Sequence, residues 1–262
     1  MSASAHRSTQ YLALGAVLLC LLLSFATSQE IFGPNPVGTT SSAVKPLLIP
    51  PGPAFGIWAL IYTGLLVFPI YQIIKNRNNS ELWLPLRRLF AANLVANGLW
   101  LVFASYDWQL LTIGVIAFML WSQLRILLLL ERIEAAGVPH SYWLERFVFS
   151  VYTGWVTLAT VLNVTSALYF YGWDGGGMSP VTWTLVMTGA AAVIAGYVAW
   201  RFRDGVYGLV VVWAFGWLAH RHLMGPEAGP QVLAYGALAV VGAFAVFSGW
   251  LLLRSKDRLE VV

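Results

Sequence analysis

The chain has 262 residues, of which 59% are hydrophobic and 10% charged, with a formal net charge of +4. A soluble domain carries roughly 25% charged residues, whereas several apolar runs here reach the roughly 20 residues needed to cross a hydrocarbon core. That balance excludes a soluble protein and points to an all-α, polytopic membrane bundle. The single cysteine, Cys20, excludes an intramolecular disulfide framework and any multi-cysteine metal site, and inside its apolar run it reads as a packing residue.

In chain order the hydropathy predicts eight spans, at about 11–28, 54–74, 89–106, 109–130, 147–170, 181–200, 206–222 and 231–253. The first has a competing reading as a cleaved signal peptide, because Arg7 precedes the apolar run and Ala26-Thr27-Ser28 follows it. Before the second span stands Lys45 to Tyr62, KPLLIPPGPAFGIWALIY. Its prolines fix φ and lack an N–H, so helix is not expected until about Pro53, where proline suits a first turn. Trp58 and Tyr62 are four apart and share one helix face, with Phe55 nearby.

All eleven acidic residues are expected between or outside the spans. The absence of intramembrane carboxylates argues against ion-driven transport. Arg7, Lys75, Arg77, Arg87, Arg88, Arg132, Arg146, Arg201, Arg203, Arg254, Lys256 and Arg258 alternate onto one side, and Arg125 can snorkel there. Only Lys45 and Arg221 fall opposite. Both termini are therefore expected in the cytoplasm, with loops 29–53, 107–108, 171–180 and 223–230 outside. The net charge carries no implication of nucleic acid, because the basic residues lie where topology puts them.

The Asn78-Asn79-Ser80 sequon falls on the expected cytoplasmic side and reads as unused. Trp173-Asp174-Gly175-Gly176-Gly177 reads as an outer turn; no Lys-Ser/Thr follows, as a phosphate loop would need. No zinc spacing and no Ser/His/Asp arrangement stands out. His220 and His222, at the outer end of the seventh span, read as interface residues, with haem-iron ligation as the alternative.

Of thirteen tryptophans, Trp83, Trp108, Trp143, Trp173, Trp183, Trp200 and Trp250 fall near span ends, as an interfacial belt requires. Trp58, Trp100, Trp121, Trp155, Trp213 and Trp217 lie deeper. The third span carries Asn93 and Asn97 with Trp100. On the fifth, Trp155, Ala159 and Asn163 repeat every four residues, with Tyr152 one turn before. An amide within a bilayer needs a partner, so Asn97 and Asn163 should face the bundle, either joining helices or orienting a ligand. Rings and amides at one depth beneath a proline-stiffened loop would suit a flat, largely apolar guest.

These stretches resemble the tryptophan-rich sensory protein/translocator (TspO/MBR) family over roughly residues 11–170. Lys45-Pro46, Pro50-Pro51-Gly52 and Trp58-Ala-Leu-Ile-Tyr62 are similar to its K-P-x-W-x-P-P-G … V-W-x-L-L-Y segment. Asn97-Gly-Leu-Trp100 resembles its L-N-x-x-W, and Tyr152 to Asn163 resembles its P-Y-x-x-W-x-x-F-A-x-x-L-N. Leu47-Leu48-Ile49 stand where the family has its loop tryptophan, and the glycine-to-tryptophan spacing is one residue shorter.

The resemblance implies a five-helix bundle over residues 1–170; residues 171–262, with three additional spans that have no counterpart in the five-helix family and a cytoplasmic tail, enlarge it. It also implies a cavity holding Trp58, Tyr62, Asn97, Trp100, Tyr152, Trp155, Ala159 and Asn163. It implies binding or sensing of a tetrapyrrole, porphyrin or haem, with no required cofactor, and allows a homodimer. A transporter of such ligands and a porphyrin-degrading enzyme remain the alternatives. The transporter would need a second, inward-facing state, and no broken helix or inverted repeat is evident. The enzyme would rely on tryptophan chemistry, because the expected cavity has no carboxylate or cysteine nucleophile.

Overall fold

The computed structural model describes residues 3–35, 46–76, 80–225 and 229–254. Lys45, Arg77, Asn78, Asn79, Glu227 and the tail bearing Lys256, Asp257, Arg258 and Glu260 lie outside the described residues. Among the described residues all regular structure is helical. The α-helices are α1 (Ala3–Ser28), α2 (Ile57–Ile74), α3 (Trp83–Ser105), α4 (Gln109–Ala135), α5 (Phe147–Phe170), α6 (Pro180–Phe202), α7 (Gly205–Met224) and α8 (Gln231–Arg254). A 3-10 turn at Gly52–Gly56 leads into α2, and a π-helical turn at Tyr142–Arg146 leads into α5.

The protein is an integral, multi-pass membrane bundle. Among the described residues, seven helical stretches are long and apolar enough to cross a bilayer; α7, the seventh expected span, is not one of them. Its sequence, GVYGLVVVWAFGWLAHRHLM, dilutes valine and leucine with glycine, tryptophan, tyrosine and a His-Arg-His end.

Local signals explain several starts. Ser179 Oγ accepts from Thr182 N at the head of α6, where Pro180 occupies the first turn. Asp204 Oδ1 accepts from Tyr207 N at the head of α7. Arg203 before it is left-handed at φ 49°, which turns the chain sharply between α6 and α7.

By internal packing the chain forms two compact units, with boundaries inside α2 after Trp58 and inside α5 after Tyr152. The first unit contains α1, α2 from Ala59, α3, α4 and the chain through Tyr152. Its apolar centre is Phe68, Phe90 and Phe149, all fully buried. Their ring centroids lie 5.0 to 5.7 Å apart, edge to face, the arrangement ring quadrupoles favour. α3 joins α4 through Asn93, whose Nδ2 donates to Ser122 Oγ (2.7 Å) and whose Oδ1 accepts from Gln123 Nε2 (3.0 Å). Gly33, at φ +63°, lies so close to the Ser105 carbonyl that no Cβ would fit.

One expectation is overturned in this unit. The acidic residues are not all outside the helices: Glu131 and Glu134 lie on α4, and Glu145 is fully buried in the π-turn. Arg87 Nε and Nη2 both donate to Gln72 Oε1 (2.8 and 2.5 Å). Gln72 Nε2 in turn donates to Glu145 Oε1, and Glu145 Oε2 accepts from Ser141 N at 2.6 Å. Gln10 Nε2 donates to the Gln72 carbonyl (2.8 Å), and His6 Nδ1 lies 3.3 Å from Arg87 Nη1. The buried charges are thus paired and hydrogen-bonded, the condition for keeping them inside.

The second unit contains residues 46–58, α5 from Thr153, and α6 to α8. α7 and α8 make its main helix pair. A Cβ on Gly205 would sit 2.7 Å from the Ser248 carbonyl, and one on Gly208 would collide with Ser248 Oγ. Small residues here let two backbones approach, as in membrane helix pairs generally.

Candidate functional site

The eight expected site residues divide between the two units. Tyr62, Asn97, Trp100 and Tyr152 belong to the first; Trp58, Trp155, Ala159 and Asn163 belong to the second.

In the first unit Asn97 is fully buried on α3, and its Nδ2 donates to the Tyr152 hydroxyl at 2.6 Å. Tyr152 is itself fully buried, with Cys20 and Tyr62 among its electrostatic neighbours. Tyr62 in turn is within hydrogen-bonding reach of Ser24 on α1. Asn97 therefore joins helices through its amide nitrogen. Its Oδ1 and the Trp100 Nε1 are both buried without a hydrogen-bond partner among the described residues. These two positions are three apart on one helix and share a face. A buried acceptor and a buried donor left open side by side are costly in a medium without water.

In the second unit Trp155 is only 4% exposed. Phe55 and Trp58 meet it edge to face, with centroids 5.6 and 6.4 Å away. Asn163, two turns beyond Trp155, also buries an Oδ1 that has no hydrogen-bond partner among the described residues. Ala159 lies between them and is partly exposed.

The other tryptophans differ in exposure, and Trp213, expected to lie deep, is 41% exposed. Trp83 is completely buried, with the Arg87 guanidinium 6.0 Å from its ring centroid. Trp121, expected to lie deep, is 50% exposed and pairs with Arg125 on the helix exterior. Trp108, Trp143, Trp173, Trp200 and Trp250 are exposed as expected.

Three side chains of α7 act on residues 46–58, and no motif points to them. Trp213 Nε1 donates to the Ala54 carbonyl (2.9 Å), and Arg221 Nη1 donates to that of Ile49 (2.5 Å). His222 Nε2 lies 3.0 Å from the Leu47 carbonyl, which requires Nε2 to carry the proton. His222 is thus buried rather than interfacial. His220 is exposed and stands edge-on to Trp217. No group of three or more His, Cys, Asp or Glu able to hold a metal occurs among the described residues. The sequence signal for α7 was its cluster of donor side chains without acceptors, in the span of weakest hydropathy.

A family model described as TSPO-like protein matches residues 10–250. The chain belongs to the TSPO-like family. The match runs from α1 into α8, so α6 to α8 lie within the family's matched length. Comparisons with curated proteins and with solved structures give no match. Membership of the TSPO-like family places the chain among membrane proteins of the sensory and binding kind.

Proposed function

We propose that this TSPO-like protein binds a flat, largely apolar ligand of the tetrapyrrole class within the membrane, as a binding or sensory protein. The observation that carries the reading is the pair of open polar atoms on α3, Asn97 Oδ1 and Trp100 Nε1, buried beside the Asn97–Tyr152 hydrogen bond. The edge of a tetrapyrrole carries carboxyl groups, which would accept from Trp100 Nε1 when ionised and donate to Asn97 Oδ1 when protonated. Within the second unit, the edge-on rings of Phe55, Trp58 and Trp155 are by themselves aromatic surface of the kind that flat ligands favour. Ala159 and Asn163 continue the Trp155 face of α5, and Tyr62 extends the polar set around Tyr152.

Titrating purified protein with protoporphyrin IX and following tryptophan fluorescence tests this. The expected result is saturable quenching, weakened about tenfold by Asn97→Leu, the equivalent of one lost interaction near 1.4 kcal/mol. Trp155→Leu should weaken it as well. Equal affinity in the native protein and both variants would remove the proposed site.

A further inference from the structure

The segment 46–58 is shaped so that it cannot satisfy itself. Pro46, Pro50, Pro51 and Pro53 offer no N–H, and its backbone bonds are short-range turns, such as Ile49 N to the Pro46 carbonyl, Ala54 N to that of Pro51 and Ile57 N to that of Ala54. Its remaining carbonyls need donors from elsewhere, and a carbonyl at membrane depth without one is expensive. α7 supplies such donors from Arg221 and His222, and Trp213 adds a further bond to the Ala54 carbonyl. Reading along the segment, Leu47, Ile49 and Ala54 meet His222, Arg221 and Trp213 in that order. The segment therefore lies antiparallel to α7 along the ten residues from 222 back to 213, about 14 Å of helix.

His222 is boxed in as well as bonded. Gly229 passes so near its ring that a Cβ there would stand 2.5 Å from Nδ1. The Nδ1 has no partner among the described residues, and Nε2 bonds to the strap. The 3-10 turn Gly52–Gly56 also packs on α7, and it carries Phe55, which touches Trp155. α7 thus fixes the segment that delivers Phe55 and Trp58 to Trp155.

We propose that α7 is a latch: Trp213, Arg221 and His222 are positioning residues that hold the proline-rich strap closed, and their release governs ligand entry and exit. The ligand half of this rests on the tetrapyrrole reading above; the latch half does not. It gives α7 a task that fits its composition, because a helix chosen for donors pointing at a strap cannot also be uniformly apolar.

The experiment uses the full chain with Cys20→Ser and a reporter, Leu48→Cys, placed at a buried strap position between two latched carbonyls. A water-soluble maleimide should label it slowly. His222→Leu, Arg221→Met and Trp213→Phe should each speed labelling about fivefold, the effect of one net hydrogen bond near 1 kcal/mol. His222→Gln, which keeps a donor, should restore slow labelling, and His220→Ala should leave it unchanged. A general loss of packing would not be rescued by glutamine.

Equal labelling rates across all variants overturn the latch. The gating role is then read from protoporphyrin release after dilution, which should quicken in the same variants. Faster labelling with unchanged release overturns gating. If protoporphyrin never quenches the native protein, the tetrapyrrole reading falls, and labelling alone still decides the latch.

Discussion

Asn97 Nδ2 donates to the Tyr152 hydroxyl across 2.6 Å, tying the middle of α3 to α5 between two fully buried side chains. Tyr152→Phe deletes the acceptor and keeps the ring. The expected cost is about 1 kcal/mol, the usual scale for polar pairs between membrane helices. A double-mutant cycle with Asn97→Leu, read by denaturant unfolding in micelles, should give a coupling of that size. Zero coupling would mean that the bond contributes nothing.

The Arg87–Gln72–Glu145 chain predicts a larger effect. Arg87→Met leaves the Glu145 carboxylate buried beside fewer donors, a defect of about 3 to 5 kcal/mol in comparable buried pairs. Folded yield should fall sharply. Combining Arg87→Met with Glu145→Gln removes both charges and should recover most of that yield, measured by size-exclusion chromatography of extracted protein. A double variant no better than Arg87→Met alone would contradict the pairing.

These residues also mark where reading the sequence stops. Long apolar runs name the helices because a hydrocarbon core imposes a length, and that part of the fold was legible from hydropathy alone. Arg87 and Glu145 stand near helix ends, where charges normally report topology, so nothing local distinguished them from exposed neighbours such as Arg88. Their burial depends on Gln72, 15 and 73 positions away, meeting both. Trp83 stands at the start of α3, at a span end as expected, but nothing local signalled its burial. Asn97, Tyr152 and Trp155 were legible because an amide or a ring at helical spacing inside a span must face protein. The grip of α7 on the strap was not, since its acceptors are backbone carbonyls and carry no side-chain signature.

The α7–α8 pair predicts intolerance to bulk. Gly208→Leu places a branched side chain where Ser248 already stands, and Gly205→Val meets the Ser248 carbonyl. Both should lower the thermal midpoint of the purified protein, whereas Gly216→Ala, where a Cβ meets nothing within 4 Å, should not. Equal midpoints for all three would show that the helices have room to separate.

Crossing number can be settled by the C-terminus. If α7 crosses the bilayer despite its composition, eight crossings return the chain to its starting side, and the basic-residue pattern puts that side in the cytoplasm. A fluorescent reporter fused after Val262 should then be active and a periplasmic phosphatase fusion inactive. The opposite pair of results would leave α7 outside the crossing count.

The route by which Arg87 finds its acid constrains how the protein is made. When only the first four helices have been synthesised, Arg87 and Gln72 are already in the chain while Glu145 is not. The half-made chain must therefore wait in an unsettled state, sheltered by the insertion machinery or by water, until the fifth helix arrives. A stall or truncation in that interval would leave a product recognisable to membrane proteases by its orphan cation.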